Sequence, residues 1–239
     1  MKKLKQIIAA VKTGADTLPH EWNELVWQLI CYSPKMPVRL QQQQLLDAAR
    51  PFSLQVNDEY FAHVQLAFNG FIWGTGSYKV LITHGWGSKA ADFMEIISAL
   101  LQIGDIQVVA FDAPGNGSSE GQLSNLLLFA QAVIAVILNY GQPDVVIGHS
   151  LGGMANIIAL QDLGITPRLI VSIAPLIRLK ENFEATMDAV GVAAEAQQTF
   201  LNSFEEKFCL SPSYYNLEDR YHIDADAHHW LAYDKNDLT

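Results

Sequence analysis

Apolar residues recur along the chain in three successive patterns. From residue 1 to about 50 they fall at helical spacing: Ile7, Ile8 and Val11, then Leu25, Val26, Leu29 and Ile30. Pro34 and Pro37 interrupt this stretch. Leu40, Leu45 and Leu46 flank the glutamines Gln41 to Gln44, so that run reads as a helix face rather than a low-complexity tract. No chemistry attaches to this first segment. From Pro51 the pattern changes to alternation, as in Phe61-Ala62-His63-Val64-Gln65-Leu66, which suits antiparallel strands between Phe52 and Ile72. Gly70 and the cluster Gly74-Thr75-Gly76 are read as turns.

The third pattern alternates short apolar runs with helical stretches. The runs are Tyr78–Thr83, Ile106–Phe111, Asp144–Ile147 and Leu169–Ile173. The helical stretches are Ala90–Leu101, Leu126–Tyr140 and Leu151–Leu163. Such alternation predicts an α/β fold, a mostly parallel sheet with helices on both faces. Right-handed crossovers then bring the C-terminal ends of the parallel strands to one edge, where ligands bind in such sheets. Between residues 177 and 217 the rhythm breaks. Phe183, Met187, Val190, Phe200, Phe204 and Phe208 are spaced for short helices, read as a small cap over that edge or as further helical packing. A fifth run, Trp230–Tyr233, follows. The expected organisation is an N-terminal helical segment (1–50), an α/β core (51–176), a helical cap insertion (177–217) and a resumed core (218–239).

The composition is that of a globular domain, 50% hydrophobic and 17% charged. A formal net charge of −10 repels phosphate backbones, so nucleic acid is not an expected partner. Two cysteines, Cys31 and Cys209, are too few for a disulfide framework. They fit either two reduced packed thiols or a single bridge in an exported protein. No C-x-x-C pair suggests a metal, and no cofactor is expected. The basic start MKKLKQIIAAVK has too short an apolar stretch for a signal peptide, and Leu126–Leu138 is too short to span a bilayer. These features predict a cytoplasmic protein without a membrane span.

The strongest chemical signal is Gly148-His149-Ser150-Leu151-Gly152-Gly153, directly after one predicted strand and before a predicted helix. This is the G-x-S-x-G arrangement, which needs small residues around a tight strand-to-helix turn that lifts a serine hydroxyl out at the sheet edge. The second signal is His84-Gly85-Trp86-Gly87-Ser88, at the end of an earlier strand. An oxyanion hole needs two backbone N–H groups aimed at one point. The N–H groups of Leu151 and Trp86 are the candidates. His84 and His149 are read as packing residues, and Asp112-Ala113-Pro114-Gly115-Asn116-Gly117-Ser118 as a rigid turn.

These three motifs, in this order and spacing, resemble the α/β-hydrolase superfamily, closest to the small bacterial serine hydrolases of esterase, lipase and haloperoxidase type. The likeness covers roughly residues 52–239. It implies a serine hydrolase of carboxylic esters with Ser150 as nucleophile and a triad in the order Ser, acid, His. The acid then falls in Asp234-Lys235-Asn236-Asp237; Asp237 is the candidate and Asp234 the fallback. The family's histidine follows the acid after one more strand, whereas all seven histidines here (20, 63, 84, 149, 222, 228 and 229) precede Asp237. His228 and His229 are adjacent and so point to opposite faces of a strand. The chain is therefore expected to end before the last strand and helix, to lack its triad base, and to be weakly active or inactive as it stands. The alternative is a hydrolase fold kept as a binding scaffold. A sheet edge left open in this way would favour a homo-dimer. The aromatic cap points to an apolar ester or acyl substrate.

Overall fold

The computed structural model describes residues 2–13, 19–221 and 227–234. Three helices come first: α1 (Lys2–Thr13), α2 (Pro19–Cys31) and α3 (Leu40–Asp47). A hairpin of β1 (Arg50–Asp58) and β2 (Val64–Trp73) leads into the alternating part. This comprises β3 (Tyr78–Thr83), α4 (Met94–Ile103), β4 (Ile106–Phe111), α5 (Leu126–Tyr140), β5 (Val145–His149), α6 (Leu151–Leu163) and β6 (Leu169–Ile173). Helices α7 (Leu179–Val190), α8 (Ala194–Phe208) and α9 (Leu217–Arg220) separate β6 from β7 (His228–Ala232).

The seven strands form one sheet in the order β1-β2-β4-β3-β5-β6-β7. β1 and β2 pair antiparallel, as does β2 with β4; every later pair is parallel. The four runs read as parallel strands are therefore strands of a mostly parallel α/β sheet. Two local readings change. Phe61-Ala62-His63 forms the turn of the β1–β2 hairpin rather than strand. Gly70 lies inside β2, not in a turn, because the Phe52 ring on β1 occupies the space where a side chain at 70 would stand. β7 starts two residues before the predicted run, its register set by pairing of His228 with Leu169.

Strand alternation divides the core into two layers. Val80 and Ile82 of β3 face Phe93 and Ile97, while Leu81 faces the opposite layer with α5 and α6. Helix α6 is buried without interruption from Leu151 to Leu160. A helix with no polar face is a core helix, and this one lies directly behind Ser150. The N-terminal helices dock on the helices that precede β7. Trp27 of α2, 3% exposed, packs on Phe200, Phe204 and Phe208 of α8 with ring centroids 4.7, 5.9 and 5.9 Å away. Its Nε1–H donates to Ser203 Oγ at 3.1 Å.

That contact joins residues 176 positions apart. Trp27→Ala is expected to lower the unfolding free energy by about 3–5 kcal/mol, the usual cost of deleting a buried large aromatic ring. Urea denaturation against the parent chain measures it, and a change below about 1 kcal/mol would show that α2 and α8 do not form one packed unit.

Candidate active site

The parallel strands end at Thr83, Phe111, His149 and Ile173 on one edge. Ser150 is the residue between β5 and α6. Its backbone sits at φ 51° and ψ −123°, a region that residues with a side chain rarely occupy. Three contacts hold it there. Ser150 N–H donates to Ile173 O at 3.0 Å, and Ser150 O accepts from Gly153 N–H at 3.0 Å and Leu176 N–H at 3.1 Å. The glycines of the motif are needed for space. A Cβ on Gly152 would lie 2.3 Å from His84 O, and one on Gly148 2.6 Å from Gly153 Cα.

The loop after β3 comes against this elbow: a Cβ on Gly85 would stand 2.9 Å from Ser150 Cβ. Trp86, half-buried, follows Gly85. The N–H groups of Trp86 and Leu151 donate to no acceptor among the described residues. Leu151 opens α6, so its N–H has no intrahelical acceptor by construction. Both residues border the same cavity as Ser150. Two free N–H groups beside a serine hydroxyl at a helix N-terminus can stabilise negative charge developing on a carbonyl oxygen.

The remaining polar groups at this edge are committed to structure. His84 is 1% exposed; its Nε2 accepts from Ala113 N–H at 2.9 Å and its Nδ1 lies 2.6 Å from Gly85 O, which fixes the proton on Nδ1. With both nitrogens engaged, His84 cannot serve as a base. His149 packs beside Gly85 and edge-on to Phe93, at a centroid distance of 6.4 Å. Asp112 is 4% exposed and accepts from Ala90 N–H, Ser118 N–H and Ser118 Oγ, each at 2.8 Å. Asn116 binds the loop after β3 to the N-terminal segment: its Oδ1 accepts from Ser33 Oγ and, at 3.3 Å, from Gly87 N–H. Asn116 lay in a turn read only as rigid, and nothing in its local pattern marks it as a hub.

None of the described histidine side chains is hydrogen-bonded to Ser150 Oγ. His63 is exposed in the β1–β2 turn, and His228 stands at the opposite end of the sheet beside Leu169. His229 contacts Ser172 Oγ at 3.0 Å and stacks on Tyr221. Asp234 follows β7 in exposed chain, whereas Asp237 and His222 lie outside the described residues. Cys31 is buried and Cys209 exposed, both free thiols. Among the described residues no group of three histidines, cysteines or carboxylates could hold a metal ion, and no helix is long and apolar enough to cross a membrane.

A cavity of about 750 Å³ opens beside Ser150. Its walls come from three places: Trp86 and Leu151 at the elbow, Leu179 and Phe183 of α7, and Ile8 and Trp27 of the N-terminal helices. The contribution of α1 and α2 was not visible in the sequence, because apolar helix faces carry no chemical signature. Burial pushes the Tyr215 phenol in this wall up to about 12, so it stays neutral, and no residue with a charged side chain is among the described lining residues.

A mostly parallel sheet with a strained serine elbow after β5 and a glycine loop facing it defines an α/β hydrolase. The chain belongs to the alpha/beta hydrolase family, whose model matches residues 80–237. No curated protein matches it. Among solved structures, an esterase from Pyrococcus furiosus is 18% identical with a TM-score of 0.52, covering 85% of this chain and 87% of that one. A hydrolase from Agrobacterium vitis S4 is 16% identical (TM-score 0.45; 56% of this chain, 55% of that one). An epoxide hydrolase from Vigna radiata is 20% identical (TM-score 0.45; 54% and 39%). The chain thus spans about half or less of the length of the last two. At these identities the likeness is one of fold.

Burial lowers the His84 pKa below its ordinary value, with Asp112 opposing in part. The unfolded chain therefore binds a proton that the native fold refuses. The stabilisation is complete above about pH 6.5 and is lost as the pH falls below it. Between pH 6.5 and 5.5 the wild type is expected to lose more stability than His84→Gln, by at most about 1 kcal/mol. His229, also lowered by burial, acts in the same direction in both proteins and cancels in the comparison. Urea unfolding at the two pH values measures the difference, and parallel losses would mean that His84 is charged in the fold.

Proposed function

We propose that this protein is a serine hydrolase of carboxylic esters. The observation that supports the reading is the strained Ser150 elbow, bordering one apolar cavity with Trp86 and Leu151, whose N–H groups have no described acceptor, and with no charged side chain among its described lining residues. Ser150 Oγ attacks the acyl carbon, the carbonyl oxygen takes negative charge against the N–H groups of Trp86 and Leu151, and the alcohol leaves. Water then releases the acid from the acyl-enzyme. A serine elbow favours this chemistry over epoxide opening, for which related folds carry an aspartate at the same turn. Ser150 needs a base to become a strong nucleophile. In the triad reading a histidine takes its proton and Asp237 orients that histidine.

The second reading, a hydrolase fold used for binding alone, is favoured by one observation: no described histidine reaches Ser150 Oγ. Labelling of the purified 239-residue chain with a fluorophosphonate separates the two. Rapid labelling abolished in Ser150→Ala supports the hydrolase, with ester turnover in that variant down by about 10⁴-fold or more. A folded chain that does not label supports the binding protein.

Pairing of two copies through β7 follows from its surface. β7 is an edge strand among the described residues, and Trp230 and Leu231 are 72% and 50% exposed. Open apolar edges recruit other strands. Sedimentation is expected to show dimers at micromolar concentration that dissociate in Leu231→Lys; a wild-type monomer at that concentration would remove the proposal.

A further inference from the structure

The residues that wall the Ser150 cavity differ in how far solvent reaches them. Trp27 and Phe208 are buried, and Leu4 and Ile8 of α1 are half-buried. Ala185 and Ala189 of α7 line the same space and are exposed, which no other described lining residue is. A wall residue that is open to solvent lies at a rim, so the cavity meets the surface along this side of α7.

Helix geometry supports that placement. Successive residues of an α-helix are turned by about 100°, so the lining residues of α7 can be ordered around its axis. Leu179 and Phe183 come first and are buried. Asn182 and Thr186 follow and are half-buried; Ala189 and Ala185 come last and are exposed. Exposure thus rises steadily around the helix, as it must where a wall runs from an interior space out to the surface. Ala185 and Ala189 are four residues apart and therefore neighbours on one flank. Both present only a methyl group to the opening. Helical side chains lean back over the preceding turn, so a long side chain at 189 would lie towards 185 and the two positions act on one opening.

The space behind this rim is large. Its volume of about 750 Å³ is about five times the roughly 150 Å³ that accommodates benzene. No charged side chain is among the described lining residues. We propose that Ala185 and Ala189 are specificity-determining residues that keep the mouth of this cavity wide, so that the site admits neutral esters bearing a bulky, branched or ring-containing apolar group as well as straight chains. The proposal rests on this cavity being the substrate site, and it requires no catalytic competence of Ser150.

The test uses two ketones, which contain no bond that the site would hydrolyse. 2-Dodecanone and 1-adamantyl methyl ketone share one carbon count and differ in breadth, a straight chain against a cage. Stopped-flow fluorescence of Trp27 and Trp86, both in the cavity wall, follows their association. The wild type is expected to bind both, at rates within about threefold of each other. In the double variant Ala185→Phe, Ala189→Phe the cage ketone is expected to associate about tenfold more slowly or worse, and the straight ketone to change by less than about threefold. Each single variant slows the cage ketone less than the pair does. Glu181→Phe, exposed on the same helix and absent from the cavity wall, leaves both rates unchanged. A wild type that does not bind the cage ketone, equal effects on the two ketones, or the same slowing in Glu181→Phe would each overturn the proposal. Because neither ketone is cleaved, the result is independent of fluorophosphonate labelling: labelling at Ser150 without this selectivity would keep the hydrolase and remove the mouth.

Discussion

The unfavourable backbone conformation of Ser150 is the constraint around which this molecule is arranged. A residue at φ 51° and ψ −123° persists only if its surroundings leave it no alternative. Here the surroundings are the ends of three parallel strands. β6 supplies the acceptor for its N–H, the chain after β6 supplies a donor for its carbonyl through Leu176, and β3 passes so close that only glycine fits at 152. Helix α6 must then start at once and run through the centre of the molecule, buried for its first ten residues. Packing density transmits the constraint: an element enclosed on all sides cannot rotate to relieve strain at its first turn.

Polar groups near the elbow divide into those that build the loops and those left open. Asp112 satisfies three donors and so joins the loop after β4 to the 3-10 turn at Ala90. His84 bridges the loops after β3 and β4 as a neutral ring. Asn116 extends the network to Ser33 and hence to the N-terminal segment. Each is buried with its hydrogen bonds made, as buried polar groups must be. Against this background the backbone N–H groups of Trp86 and Leu151 stand out, since neither donates to a described acceptor. Both belong to residues that border one cavity, with no charged side chain among its described lining residues.

Those parts of the fold whose cause is local could be read from the sequence. The elbow requires glycines two residues either side of Ser150, and a requirement on neighbours is visible in a string of letters. The parallel strands were legible as short apolar runs for the same reason. β7 was displaced by two residues because its limits are set by its partner β6 rather than by its own composition. Gly70 was misread as a turn because the ring that covers it, Phe52, is eighteen residues away in sequence and opposite only in the sheet. The N-terminal helices were legible as helices but not as cavity wall. Their position depends on Trp27 meeting Phe200, Phe204 and Phe208, a contact that no short-range pattern encodes.

The family match begins at residue 80, so α1, α2 and α3 fall outside it, yet α1 and α2 close one side of the cavity. The cavity wall is thus shared between the N-terminal helices and the residues that the family model matches. Strain at the elbow tolerates little change, since Ser150 N–H and O are both hydrogen-bonded and a side chain at 148 or 152 would collide with backbone. The apolar walls from α1, α2 and α7 meet only a requirement of volume and hydrophobicity, which many side chains satisfy. Half-buried Ile8 meets that requirement more loosely than Phe183, which is buried against Phe200 and Phe204. The serine turn and the apolar wall beside it are thus held by different constraints, the turn by backbone geometry and the wall by volume.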